Sequence, residues 1–332
     1  MDATIKTTLL ATLLMSPLLE AEELSEYDQC VLRAMKVQTG DLTIDELHER
    51  CLTATDQESE LKQTDVLSER REAERSTEFQ PFVMTAHRMN YILPFTYTDS
   101  VNRKAYEDTG WAEDLRKAEA EFQISFKVPL NYSDLFFEND ALFFGFTLRS
   151  YWQVYANSIS RPFRETNYQP EFFYFTPTDW KPFDGNTWLG FGIEHQSNGQ
   201  RQILSRSWNR IYGSVTFEKN RLALSFRPWW RIPESDKTDE NDPNGDDNPD
   251  IGDYMGHFEV GAAYKWEEFS VNFTGRENFK THKGYAEMGM TFPIWGKVRG
   301  YAKYSTGYGE NLIDYNHKQQ RFGIGIAITD IL

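Results

Sequence analysis

Residues 210–227, RIYGSVTFEKNRLALSFR, decide the fold. On an extended chain Ile211, Val215 and Phe217 share one side, and Arg210, Tyr212, Ser214 and Thr216 share the other. After the short turn Glu218-Lys219-Asn220, Leu222, Leu224 and Phe226 alternate with Ala223, Ser225 and Arg227. Such period-two alternation marks strands with one apolar and one polar face. The pattern recurs outward from this hairpin. Phe122, Ile124, Phe126 and Val128 alternate with Gln123, Ser125 and Lys127. Leu189, Phe191 and Ile193 alternate with Gly190, Gly192 and Glu194, and Phe322, Ile324, Ile326 and Ile328 with small residues. Short turns alternate with long polar connections, of which 232–252 (IPESDKTDENDPNGDDNPDIG) is the plainest. That asymmetry is the habit of outer-membrane β-barrels.

The polar faces carry Lys127, Glu194, Arg206 and Arg210 beside glycines. This suits a packed, hydrated interior with an apolar exterior, the reverse of a soluble lipocalin-like barrel. At roughly 20 residues per strand and connection, residues 81–332 hold about twelve strands. The expected fold is therefore all-β, an antiparallel transmembrane β-barrel with a small helical N-terminal extension. Trp188, Trp208, Trp229, Trp230, Tyr301 and Tyr308 lie near strand ends and are expected to form interfacial girdles.

Composition narrows the function classes. The 332 residues carry 35 Lys+Arg against 51 Asp+Glu, a net charge of −16. Nucleic acid demands the opposite sign. Two cysteines without a CxxC exclude a disulfide-dense scaffold and a structural zinc site. Past the first twenty residues no apolar run reaches the about 18 residues of a spanning helix. Aromatic residues make up 15% of the chain, yet only Tyr27 and Phe79 precede residue 81.

The leader is a different material. Residues 1–21 read as an export signal, with Leu9–Leu19 as its apolar stretch. Residues 22–52 read as a helical hairpin turning at Thr39-Gly40-Asp41, with Cys30 and Cys51 placed to form a disulfide. Residues 53–80 are acidic, poor in large apolar groups, and read as a linker to the barrel at 81–332.

One segment carries chemistry. His195 and Ser197 are two apart on a strand, so both side chains project the same way. They share the apolar, outward face with Leu189, Phe191 and Ile193, and Asn209 shares the apolar face of the next strand with Ile211. Polar groups on a lipid face are costly unless they serve a purpose. At the membrane rim they would meet the ester region of a lipid. A His-x-Ser on a strand is also common, and a histidine at headgroup level is often only interfacial, so spacing alone leaves both readings open.

At these residues the chain resembles the outer membrane phospholipase A family. The resemblance lies in Ser150–Tyr168 (SYWQVYANSISRPFRETNY), His195–Tyr212 (HQSNGQRQILSRSWNRIY), Asp246–Gly256 (DDNPDIGDYMG) and Gly307–Tyr315 (GYGENLIDY), and it runs from about residue 88 to the end. It implies a twelve-stranded barrel in the outer membrane of a Gram-negative bacterium, with its site toward the outer leaflet. It implies a calcium-dependent phospholipase acting at both sn-1 and sn-2 acyl esters of phospholipids and lysophospholipids. Ser197 would be the nucleophile, His195 the general base and Asn209 the residue orienting the imidazole. Calcium would take the Ser205 hydroxyl, the Gln200 carbonyl and the Ser160 carbonyl of a second copy, so the active form would be a homodimer. Backbone N–H toward Gly199 would help hold the oxyanion.

Two positions depart from the family pattern. Leu148 stands where relatives place a polar dimer contact. Gln202 replaces an acidic ligand that, with Asp247, would form a second calcium site, which is therefore expected to be weak or absent. A non-enzymatic barrel, a small pore or a lipid-binding protein, is the alternative from another class. An outer-membrane protease would instead rely on acidic pairs in loops above the barrel mouth.

Overall fold

The computed structural model describes residues 65–80, 83–239, 242, 245–296 and 298–330. The expected export signal and the Cys30–Cys51 hairpin lie outside the described residues. In chain order come helix α1 (Val66–Arg75) and strands β1 (Thr85–Ala86), β2 (Asn90–Thr98), β3 (Ala118–Pro129) and β4 (Ala141–Trp152). Next are β5 (Phe163–Thr178), β6 (Asn186–Ser197), β7 (Ser207–Lys219), β8 (Leu222–Ile232) and the one-turn helix α2 (Ile251–Met255). Then follow β9 (Phe258–Trp266), β10 (Phe269–Asn278), β11 (Lys283–Trp295), β12 (Val298–Gly307) and β13 (Gln319–Thr329).

Strands β2 to β13 each pair antiparallel with their sequence neighbours, and β13 returns to β2 through pairs such as Phe322 with Tyr97. The result is a closed twelve-stranded barrel. The short β1 is an extra strand on the end of β3. No helix among the described residues is long and apolar enough to cross a membrane; the crossing is made by strands. Connections 220–221 and 267–268 are two-residue turns, each with a left-handed residue, Asn220 (φ 54°) and Glu267 (φ 52°). The connections 99–117, 153–162, 198–206, 233–257, 279–282 and 308–318 all lie at the opposite, loop end.

The alternation sets the two faces as expected. Leu189, Phe191, Ile193, Leu224, Phe226 and the apolar row of β13 are exposed on the outside. The interior is an ion-pair network. Glu119 accepts from Arg164 and Arg321, and Glu121 from Arg149 and Lys303. Glu194 meets Arg88, Arg210 and Arg227. Buried charges are tolerated there because each meets an opposite charge. The lumen is thus crossed by charged side chains, which also line a cavity of about 540 Å³ together with Gln123, Gln169 and Tyr212. Of the charged residues assigned inward, Arg206 instead belongs to the loop 198–206, where it donates to the Ile203 and Ser205 carbonyls.

The expected aromatic girdle needs correction. Trp208 is fully buried, and Trp188, Trp229 and Tyr301 also face inward; of the tryptophans named, only Trp230, 59% exposed, points outward. Position along a strand does not fix the face; parity does, and Trp229 and Trp230 are adjacent. Exposed aromatics at the turn end come from other residues, including Trp180, Phe183, Trp266 and Trp295.

The segment read as linker also differs. Val66–Arg75 forms α1, which is rich in strong helix formers (Leu, Glu, Arg, Ala). Its charge made it resemble a linker, but the barrel's turn end supplies partners. Asp65 accepts the Asn220 N–H (2.6 Å) and the Asn186 amide (3.0 Å). The first-turn amides of Leu67 and Ser68, which lack intrahelical acceptors, donate to the Glu218 carboxylate. At the far end Glu74 pairs with Lys127 at 2.7 Å. The helix therefore lies against the barrel, tied to β6 and β7 at one end and to β3 at the other.

Candidate active site

β6 and β7 place His195 directly opposite Asn209. The flanking residues force both outward. Glu194 and Gln196 face the interior, where Gln196 accepts the Trp208 indole N–H at 2.8 Å. Trp208 and Arg210 bracket Asn209 and both point inward. The Arg210 guanidinium lies 3.9 Å from the Trp208 ring and 5.0 Å from that of Trp229. With its neighbours locked inside, Asn209 must project outside. His195 Nδ1 and Asn209 Oδ1 are 2.8 Å apart. The amide oxygen can only accept, so Nδ1 carries the proton and Nε2 is left to receive one.

Ser197 is half-buried on the same face, paired with Ser207 across β7 and Tyr168 across β5. No hydrogen bond among the described residues joins its hydroxyl to His195. Residues i and i+2 on a strand are roughly 6.5–7 Å apart at Cα, so contact requires both side chains to lean together. Such bonds often tighten only with substrate in place.

The loop 198–206 follows at once and is organised by Asn198, which is 3% exposed. Its N–H donates to the Arg206 carbonyl (3.0 Å) and its amide to the Leu204 carbonyl (2.8 Å) and the Glu165 carboxylate (3.2 Å). Its Oδ1 accepts the N–H groups of Gln200 (3.2 Å) and Arg206 (3.0 Å). Gly199 takes φ +63°. Its N–H makes no hydrogen bond among the described residues. Asn198 was not singled out in the sequence. The signal was the pairing of an Asx-turn former with glycine.

Of the expected metal ligands, Gln200 and Ser205 both lie in this loop. The Ser205 hydroxyl donates to Asp247 at 2.6 Å, and Asp247 also pairs with Lys237 at 2.5 Å. Ser160 lies exposed in the separate loop 153–162 at the same end of the barrel. No cluster of three His, Cys, Asp or Glu exists among the described residues. The donors here are hydroxyl, carbonyl and carboxylate oxygens, the set a hard cation prefers. Gln202, with φ +53°, sits in the same loop and brings no charge.

A further residue touches the site. Glu234, in the loop after β8, accepts the Asn209 Nδ2–H at 3.0 Å. Burial and the nearby Asp246 carboxylate hold its carboxyl above the ordinary Glu range, against the lowering effects of the Asn209 amide and Arg231. It lies 25 residues beyond Asn209, at the start of an acidic loop, and no sequence signal set it apart.

The stretches 246–256 and 307–315 close the loop end around this group. Ile251, Met255, Leu312 and Tyr315 pack on Trp208, Tyr212 and Trp229, and buried Asn248 accepts the Ser207 N–H at 3.0 Å.

A closed barrel with ion pairs across its interior and an imidazole–amide pair on its outer surface has the build of an enzyme of the membrane. Residues 67–328 match the family model described as phospholipase A1. Curated relatives named phospholipase A1 from Klebsiella pneumoniae and Escherichia coli K12 are each 36% identical over 253 residues. Each alignment covers 76% of this chain and 84% or 83% of the relative. The calcium-bound dimer of Salmonella typhi outer membrane phospholipase superposes with a TM-score of 0.72 at 35% identity, covering 78% of this chain and 97% of that one. An Escherichia coli outer membrane phospholipase A, solved as an active-site mutant with asparagine changed to alanine, gives 0.70 at 34% identity, covering 78% and 98%. The chain belongs to the phospholipase A1 family. It is a hydrolase of the Gram-negative outer membrane.

Proposed function

We propose that this chain is a calcium-dependent phospholipase that cleaves sn-1 and sn-2 acyl esters of phospholipids and lysophospholipids at its lipid-facing surface, with Ser197, His195 and Asn209 as its catalytic group. The observation that carries the reading is the 2.8 Å contact between His195 Nδ1 and Asn209 Oδ1 on the outer face. Polar groups so placed meet lipid esters rather than the lumen. The active-site asparagine of the Escherichia coli relative supports an asparagine in this role.

The Ser197 hydroxyl attacks the ester carbonyl while His195 Nε2 takes its proton. Collapse expels the lysophospholipid or glycerol-side alcohol, which receives that proton, and leaves an acyl-serine. Water, deprotonated by the same nitrogen, then attacks the acyl-serine and releases fatty acid and free Ser197. The Gly199 N–H, without a partner among the described residues, is a donor available to the oxyanion. Ser205, the Gln200 carbonyl and, from a second copy, the Ser160 carbonyl would hold calcium. An ion held there would supply Lewis-acid stabilisation for the negative charge that develops on the carbonyl oxygen. The calcium-bound dimer of the Salmonella typhi relative supports both the ion and the homodimer. Asp247 is already neutralised by Lys237 and Gln202 is uncharged, so a second cation binds weakly in this loop.

The test is fatty-acid release from mixed micelles with calcium or with chelator. Wild type releases fatty acid only with calcium. Ser197→Ala stays a folded barrel and loses at least about 10³-fold in rate, as removal of a serine nucleophile does. Release by Ser197→Ala at the wild-type rate removes Ser197 from the mechanism.

A further inference from the structure

The catalytic group as proposed leaves one question of chemistry open. An asparagine can present either end of its amide to an imidazole, and the two ends have opposite consequences. With Oδ1 toward His195, Nδ1 holds the proton and Nε2 is free to act as base. With Nδ2 toward His195, Nδ1 must accept and the proton moves to Nε2, the nitrogen that has to receive the Ser197 proton. An aspartate has no such ambiguity. Something beyond Asn209 must set the end.

Glu234 is the group in position to do so. Its carboxylate oxygen lies 3.0 Å from Asn209 Nδ2. An ionised carboxylate only accepts, so it binds the NH2 end and repels the carbonyl end. The other end of the amide is then directed at His195. The backbone brings Glu234 there by register: Ile232, the last residue of β8, pairs with Asn209, and Glu234 follows two residues on. The start of that loop is pinned, since Arg231 pairs with Asp246 at 2.5 Å and donates to the Pro249 carbonyl. The charged groups around Glu234 are Arg231, Asp246 and Asp247, with Lys237 held on Asp247.

We infer that Glu234 is a positioning residue of the catalytic group, extending it to Ser197–His195–Asn209–Glu234 by holding the Asn209 amide with its carbonyl toward the imidazole. Its negative charge also supports, through the amide, the imidazolium that forms as Ser197 attacks. The inference rests on the proposed role of Ser197, His195 and Asn209.

A double-mutant cycle on full-length protein in calcium-containing mixed micelles tests it, with Ser197→Ala measured alongside. In the native background Glu234→Ala lowers kcat by about 10- to 100-fold, the scale of a misplaced catalytic group, with KM within about twofold. In the Asn209→Asp background the sign reverses. The two carboxylates then face each other, and Glu234→Ala leaves kcat equal to or above that of Asn209→Asp alone. A purely structural role lowers kcat in both backgrounds. Native-background kcat within twofold after Glu234→Ala, or a further loss in the Asn209→Asp background, overturns the inference. If Glu234→Ala does not fold, Glu234→Gln is read in the same cycle; its amide can donate to the carboxylate introduced by Asn209→Asp, so it too must restore kcat there. Wild-type release by Ser197→Ala removes the underlying reading, whereas its inactivity beside an unaffected Glu234→Ala removes only the role of Glu234.

Discussion

In the proposed catalytic group Asn209 is one uncharged side chain serving a base that would become cationic. It supports the imidazolium less than an aspartate would, but with its Oδ1 toward the ring it keeps the proton on Nδ1. Asn209→Ala is therefore expected to lower kcat by roughly 10²-fold, within the range of general-base contributions, while the calcium concentration for half-maximal rate stays unchanged. A shifted calcium requirement would place Asn209 with the metal ligands instead. The outward direction of His195, Ser197 and Asn209 was legible because alternation alone assigns faces once one face is known. The direction of Trp208 and Trp229 was legible by the same rule, yet they were read by strand position and assigned to the girdle. Their burial is what locks β7 beneath Asn209. Glu234 was not legible, since its contact depends on how an irregular loop leaves β8.

At the scale of elements, the hairpin β6–β7 and its loop 198–206 do the work. The strands fix the imidazole–amide pair, and Asn198 folds the loop so that Gly199, Gln200 and Ser205 stand near the strand end. Four hydrogen bonds leave or reach its side chain. Asn198→Ala leaves the Leu204 carbonyl and two N–H groups without that partner, at about 1–3 kcal/mol for a buried group left unsatisfied. The barrel survives, because its strands hold the fold. The expected result is a calcium requirement raised by about tenfold, equivalent to about 1.4 kcal/mol of binding, with thermal unfolding in detergent only slightly earlier. An unchanged calcium titration would detach the loop from the ion. Alternation gave the strands, but α1 was hidden. Its glutamates and arginines, unremarkable in a linker, form a helix because Glu218, Asn220 and Lys127 receive it at the turn end.

For the whole molecule, the charge of the lumen bears on where substrate can come from. Glu121, Arg149, Lys303 and Glu310 meet across the interior, with Lys303 fully buried, so the interior is charged and the apolar surface that acyl chains can meet is the outer one. The outside is also where a second copy would dock if the proposed homodimer forms. Leu148 lies on that face between inward Thr147 and Arg149, beside Ile124 of β3 and Tyr168 of β5. Ser160 is exposed in one loop, while Gln200 and Ser205 occupy another at the same end. If the site is completed across two copies, its rate must depend on how often barrels share a micelle. Specific activity at saturating calcium is therefore expected to rise with the protein-to-detergent ratio, in step with the dimer fraction measured by sedimentation or cross-linking. Leu148→Arg puts a charge on the lipid and docking face, costing about 2–4 kcal/mol near the bilayer midplane. It should lower both quantities together, without altering the His195–Asn209 pair inside each barrel. Specific activity that stays constant down to one barrel per micelle would show that a single copy holds a complete site.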